Sequence, residues 1–136
     1  MDDVLLNKVA IIERCLNRIQ EEYQGAEDQL ETNYTKQDSI ILNLLRAAEA
    51  SLDSAMHVVR VKQLGVPQQS REAFTLLEDN NLLNTDLSQR MQAMVGFRNI
   101  AVHNYQNISL PILKSLLENN LVDFEGFSRV MIAINS

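Results

Sequence analysis

Apolar residues early in the chain recur at alternating steps of four and three, at Leu5, Val9, Ile12, Leu16, Ile19 and Tyr23, with polar residues between them. That spacing predicts an amphipathic helix from roughly Asp3 to Glu22, because it lays one apolar stripe along one side of a 3.6-residue turn. The pattern fades into polar residues between Gly25 and Tyr34, then resumes at Ile41, Leu45, Ala48, Leu52, Ala55 and Val59. A second long helix is expected there, capped by Thr35 with Asp38 three positions later and ended before Gly65 and Pro67. The two helices should run antiparallel.

Ser70 is expected to cap a short helix through Phe74, Leu76 and Leu77, after which Asn80-Asn81 signals an interruption. Thr85 or Asp86 would cap a fourth helix that turns Leu87, Met91, Met94 and Val95 inward. Ser109, with Pro111 in the first turn, opens a last helix whose stripe is Leu113, Leu117, Leu121, Phe124, Phe127 and Met131. No strand alternation, internal repeat or low-complexity tract interrupts this reading. The expected fold is all-α, an up-and-down bundle of about four main helices plus one short helix, in a single domain over residues 1–136.

Composition changes the picture in three places. Hydrophobic residues make up 46% and charged residues 22%, ordinary globular usage, so the chain should fold. Cys15 is the only cysteine and His57 and His103 are the only histidines, which excludes an intramolecular disulfide and any cysteine-based zinc site. No metal or other cofactor is therefore expected. Met1-Asp2-Asp3 puts acid where a secretory signal carries base, and no apolar run has the length of a membrane span, so a cytoplasmic protein without membrane contact is expected. The formal net charge of −6 is the wrong sign for broad attraction to nucleic acid. RNA binding would need its basic groups gathered at one cleft, and would be weak and sensitive to salt.

The chemistry concentrates in Arg98-Asn99-Ile100-Ala101-Val102-His103-Asn104-Tyr105. A permanently charged guanidinium can grip a phosphate, an imidazole can move a proton near neutral pH, and a phenol can be modified or donate a hydrogen bond. Together they suggest phosphodiester cleavage. RNA can be cut without metal because its own 2′-hydroxyl attacks the adjacent phosphorus, leaving only proton transfer and charge stabilisation to the protein. His103 would carry the proton and Arg98 would hold the phosphate, giving a 2′,3′-cyclic phosphate and a 5′-hydroxyl. Asn99, one turn before His103, would orient the imidazole or the substrate. Arg98 and His103 diverge by about 140° on an ideal helix, so the guanidinium must reach around, the helix must unwind, or a second subunit must complete the site. A two-fold homodimer along the fourth helix would line one cleft with two copies of the motif.

The spacing Arg-x4-His-x-Tyr resembles the signature of HEPN-domain ribonuclease toxins, and within them the HepT family. The resemblance extends to the Gln37-Asp38-Ser39-Ile40-Ile41-Leu42-Asn43-Leu44 helix start and the Leu64-Gly65-Val66-Pro67 turn, and so covers nearly the whole chain. It implies a HEPN-like bundle, a homodimer with composite sites, and a cognate antitoxin of the minimal nucleotidyltransferase type, MntA-like. It also implies that Tyr105 is the hydroxyl to which that partner attaches AMP, placing charge and bulk beside the phosphate site. An alternative remains open: a non-catalytic module that binds a nucleotide or a nucleotidyltransferase with the same Arg98 and His103. The acidic balance favours it, whereas a histidine at this spacing favours cleavage.

Along the second helix Asp38, Asn43, Arg46, Glu49 and Asp53 form a polar seam that is either a solvated face or the border of the cleft. Asp38 and Arg46 are its candidate cleft residues. His57 is given no role, Cys15 is read as a core residue, and Met91 and Met94 fit either the core or a dimer surface.

Overall fold

The computed structural model describes residues 2–135, and Met1 of the acidic start lies outside them. Six α-helices follow in order: α1 (Asp3–Tyr23), α2 (Tyr34–Val61), α3 (Glu72–Asp79), α4 (Thr85–His103), α5 (Leu110–Asn119) and α6 (Leu121–Asn135). Single 3-10 turns occupy Glu27–Gln29 and Tyr105–Asn107, and no strand occurs among the described residues.

The stripe expected on α1 is the one it buries: Leu5, Val9, Ile12, Leu16, Ile19 and Tyr23 are all at most 8% exposed, with Cys15 beside them in the core. Asp2 caps the helix by accepting from the amides of Val4 and Leu5. Gly25, at φ +80, supplies the left-handed turn that sends the chain back. Pairing of Lys8 with Asp53 at one end, and of Glu22 with Lys36 at the other, shows that α1 and α2 run antiparallel.

The start of α2 is a correction. Asn33 is the cap, its side-chain oxygen accepting from the Lys36 amide at 3.0 Å, so Thr35 and Asp38 lie inside the helix. Asparagine in an extended backbone ranks above threonine as a cap, and one accepted hydrogen bond at this position settles the boundary. The shift leaves the Asp38 carboxylate available for a long-range contact.

α2 is the central strut, in contact with α1, α3, α4 and α6. It can touch so many neighbours because it buries small residues on several sides, among them Ala47, Ala50, Ser51, Ser54 and Ala55. The hydroxyls of Ser51 and Ser54 return to the carbonyls of Ala47 and Ala50, each at 2.8 Å, so their burial leaves no unmet polar group. The Arg98–Glu49 ion pair, with the Tyr105–Asp38 hydrogen bond beyond the end of α4, shows that α4 runs antiparallel to α2.

Three other sequence expectations change. Ser70 does not cap α3; Arg71 occupies the cap position with helical backbone angles and no side-chain bond. The first amides are instead covered by 3-10 bonds, Glu72 to Gln69 and Ala73 to Ser70, while the Glu72 carboxylate reaches back to the Gln68 amide. Asn84, rather than Thr85 or Asp86, caps α4 by accepting from Leu87 at 2.8 Å, and Thr85 donates its hydroxyl to Glu78. The last helix is two. Ser109 caps α5 as expected, but the chain breaks at Asn120, whose amide side chain binds the buried Asp123 carboxylate that Arg90 of α4 also holds. The break lets Leu113 and Leu117 of α5, and Phe124, Phe127 and Met131 of α6, all reach one core.

Phe74 and Phe127 meet edge-to-face there, ring centroids 5.6 Å apart, and tie α3 to α6. Met91 and Met94 are 0% and 2% exposed, which assigns them to the core and removes them from any dimer surface. No helix among the described residues is long and apolar enough to cross a membrane. If Asn33 rather than Thr35 caps α2, Asn33→Ala should lower unfolding stability by about 1 kcal/mol and Thr35→Ala by less than half as much, read from denaturant midpoints at constant slope.

Candidate active site

Helix α4 stays regular through His103, so the backbone keeps Arg98 and His103 on diverging sides, about 140° apart. The two directions meet different surroundings. Arg98 turns towards α2, where its Nη1 donates to Glu49 Oε1 at 2.7 Å, while its Nη2 donates to Asn99 Oδ1 at 2.8 Å. The guanidinium is thus fixed by two acceptors, and its Nε is buried with no partner. His103 is the last residue of α4, exposed, and makes no side-chain hydrogen bond or ion pair among the described residues. There it sits at the C-terminal end of the helix, open to solvent.

Asn99 contacts the guanidinium and not the imidazole. Its effect on this chain is to hold Arg98 in one rotamer, which a bare arginine on a helix surface would not keep.

Beyond His103 the helix ends at Asn104, whose backbone (φ −149, ψ 55) leaves the helical region while its amide still bonds Ile100. Asn107 donates to the Asn104 side chain at 3.0 Å and closes the turn. The result aims Tyr105 back at α2, and its hydroxyl donates to Asp38 in a short hydrogen bond. Burial first, then the bond and charge of Asp38, push the Tyr105 hydroxyl up to about 12, so it carries its proton at neutral pH.

Asp38 and Glu49 are eleven residues apart on α2, three turns plus about 20°, so they lie on one face and about 16 Å apart along the axis. α4 runs back along this face, docking Arg98 on Glu49 and Tyr105 on Asp38. Leu42 and Arg46 share the stripe between the two acids and are exposed, and Arg46 forms no ion pair among the described residues. The rest of the polar seam goes elsewhere: Asn43 bonds the Ser39 carbonyl, and Asp53 pairs with Lys8. Of the two cleft candidates, Asp38 touches the motif directly; Arg46 neighbours it along the helix. Glu49 is the contact that the sequence did not single out. Its signs in the sequence were its place in the polar seam and the (i, i+11) spacing from Asp38, which puts both on one helix face.

His57 is engaged structurally, with Nε2 at 2.7 Å from Asp2 and Nδ1 at 3.0 Å from Arg60. Among the described residues no group of three His, Cys, Asp or Glu side chains could hold a metal ion. Five concavities among the described residues are lined by side chains other than Arg98, His103 and Tyr105. The motif instead borders an open surface carrying Ile100 and Val102, 55% and 59% exposed, on the last turn of α4.

A family model described as "Ribonuclease HepT-like" matches residues 12–131. The mRNA nuclease HepT of Shewanella oneidensis is 49% identical over 131 residues, covering 96% of this chain and 98% of that protein. Among solved structures, a toxin-antitoxin complex with AMP-PNP superposes with a TM-score of 0.93 at 48% identity, covering 97% of this chain and 99% of the other. A tri-AMPylated Shewanella oneidensis HEPN toxin in complex with an MNT antitoxin superposes with a TM-score of 0.92 at 48% identity, covering 98% and 99%. Matched over nearly its full length, this helical bundle with its tethered arginine, exposed histidine and Asp38-bound tyrosine belongs to the HepT-like ribonuclease family.

Proposed function

We propose that this chain is a metal-independent RNA endonuclease acting as a homodimer, the toxin of a pair whose partner is a nucleotidyltransferase that silences it by attaching AMP to Tyr105. The observation that carries the proposal is the division of labour on α4: a guanidinium locked in place by Glu49 and Asn99, and an imidazole left unencumbered one and a half turns later. A phosphate clamp needs rigidity, while a proton carrier needs access.

In the proposed reaction the RNA 2′-oxygen bonds to the adjacent phosphorus and the bond to the 5′-oxygen breaks. One His103 takes the proton of the 2′-hydroxyl, and its counterpart from the second protomer, protonated, gives one to the departing 5′-oxygen. Arg98 lies against the phosphate and offsets the charge that grows on it, with Asn99 as its positioning residue. Two protomers are needed because a single regular helix separates Arg98 from His103, and the uncovered Ile100 and Val102 are the kind of apolar patch that a two-fold contact would bury.

Tyr105 is suited to modification by its partner Asp38. In adenylylation the Tyr105 oxygen attacks the α-phosphorus of ATP and pyrophosphate departs; Asp38 already accepts from that hydroxyl and is placed to take its proton. The product puts a phosphodiester beside Asp38, adding like charge where RNA must approach. A relative of the same fold is tri-AMPylated in complex with its antitoxin, which supports this assignment.

Incubated with end-labelled RNA in chelator, the purified protein should leave 2′,3′-cyclic phosphate termini, and Arg98→Ala and His103→Ala should each reduce cleavage by about 100- to 10,000-fold without loss of helicity. Absence of cleavage by the parent chain, with nucleotide binding retained, would favour a phosphate-binding module, the reading that its net charge of −6 supports. A protein that scatters light as a monomer, and keeps its specific activity on dilution, would refute the shared site.

Co-expression with a nucleotidyltransferase of the antitoxin type should add AMP to Tyr105 by mass spectrometry and abolish cleavage. Tyr105→Phe should cut RNA yet escape silencing, and an adduct on another residue would contradict the assignment.

A further inference from the structure

Arg71 is an arginine that the structure brings against the motif's helix without pairing it to an acid among the described residues. It stands at the start of α3, exposed, and among the described residues it makes no ion pair or hydrogen bond through its side chain. The neighbouring Glu72 carboxylate is occupied by the Gln68 amide. The guanidinium lies across Gly96 of α4: a Cβ built on that glycine would stand 2.8 Å from Arg71 Nη2 and 3.8 Å from its Cζ. Any residue other than glycine would therefore push the guanidinium aside.

Gly96 and His103 are seven residues apart on a regular helix, two turns less about 20°, so they share a face, separated by about 10 Å along the axis. Helical side chains lean towards the N-terminus, the direction in which Gly96 lies from His103. The two arginines thus serve different sides of α4. Arg98 is turned to α2 and partly neutralised by Glu49, whereas Arg71 is unneutralised on the His103 side.

We propose that Arg71, seated by the missing side chain of Gly96, binds a phosphate of the RNA next to the one being cut and so supplies attraction that an acidic protein otherwise lacks at this site. The proposal rests on the ribonuclease reading above and adds to it a binding residue outside the motif. Arg71 acts on substrate affinity and takes no part in proton transfer, because its position two turns from His103 is that of a neighbouring phosphate and not of the reacting atoms.

The test is binding of a fluorescein-labelled single-stranded RNA oligonucleotide to the full-length His103→Ala protein by anisotropy, from about 50 to 200 mM salt. Adding Arg71→Ala should weaken binding about tenfold at low salt and flatten the plot of log affinity against log salt by about 0.7 for each phosphate that is no longer neutralised. Arg71→Lys should keep most of the salt slope. Gly96→Ala, which raises helix propensity and so should not unfold α4, should weaken binding in the same direction, and combined with Arg71→Ala it should add nothing. In the cleaving protein, Arg71→Ala should raise KM with kcat changed less than about twofold. Unchanged affinity and salt slope in Arg71→Ala, or a fall in kcat with KM unaltered, would overturn the proposal. So would full affinity in Gly96→Ala, which also decides the matter if Arg71→Ala melts early. Because binding is read on a protein that does not cleave, failure of the parent chain to cut RNA would count against the ribonuclease reading alone.

Discussion

Two carboxylates on one face of α2 hold the functional end of α4, and most of what the site can do depends on that grip. Glu49 takes Arg98 and Asp38 takes Tyr105, so a stretch that spans the end of one helix and the following turn is registered against a second, longer one at both ends. α2 can serve as the reference because it packs against four helices, in part through alanines and internally bonded serines. Rotation or sliding of α4 would break both contacts and expose apolar residues together, so the arrangement is set by the core as much as by the ion pair. Half-exposed ion pairs alone contribute little to stability, and their worth here is in direction.

The same two acids make the site electrostatically unusual for a protein that handles RNA. Arg98 is paired with an acid, and the tyrosine faces an anion. Under the proposed function, attraction would come from cations without an ion pair among the described residues, such as Arg46 on the α2 stripe and Arg71 over Gly96. An approaching phosphate meets a surface where sequence-wide charge repels and a few guanidinium groups attract. Under the proposed function such a balance would make association dependent on ionic strength and would make one phosphodiester added at Tyr105 weigh heavily.

Much of this fold was legible because long amphipathic helices advertise themselves. The stripes of α1 and α2 and the inward faces of α4 were read from spacing alone, and the buried positions are nearly those expected. The cap of α5 was legible at Ser109, but those of α2, α3 and α4 were not, since Asn33, Ser70, Asn84 and Thr85 all carry side chains able to cap, and the choice between neighbours depends on a backbone angle that composition does not encode. The split between α5 and α6 was hidden for a related reason: an uninterrupted apolar rhythm ran across Asn120, and only the burial of Asp123 beside Arg90 reveals why the chain turns there. At the site, local spacing exposed Arg98, His103 and Tyr105, and periodicity along α2 exposed Asp38. Glu49 and Arg71 depend on which helices become neighbours. Gly96 carried a hint, as a glycine within a helix marks a close approach, but its visitor is known only from the folded chain.

The burial of Cys15 has a consequence of another kind. It is the sole thiol, 2% exposed within α1, and desolvation raises its pKa, so in the folded protein it presents neither access nor a thiolate to an alkylating reagent. Reaction at sulphur can proceed only when α1 lifts from its neighbours, which makes the rate of alkylation a clock for that opening. The chain therefore carries its own reporter of breathing, silent towards the surface chemistry on α4 and readable without any engineered probe.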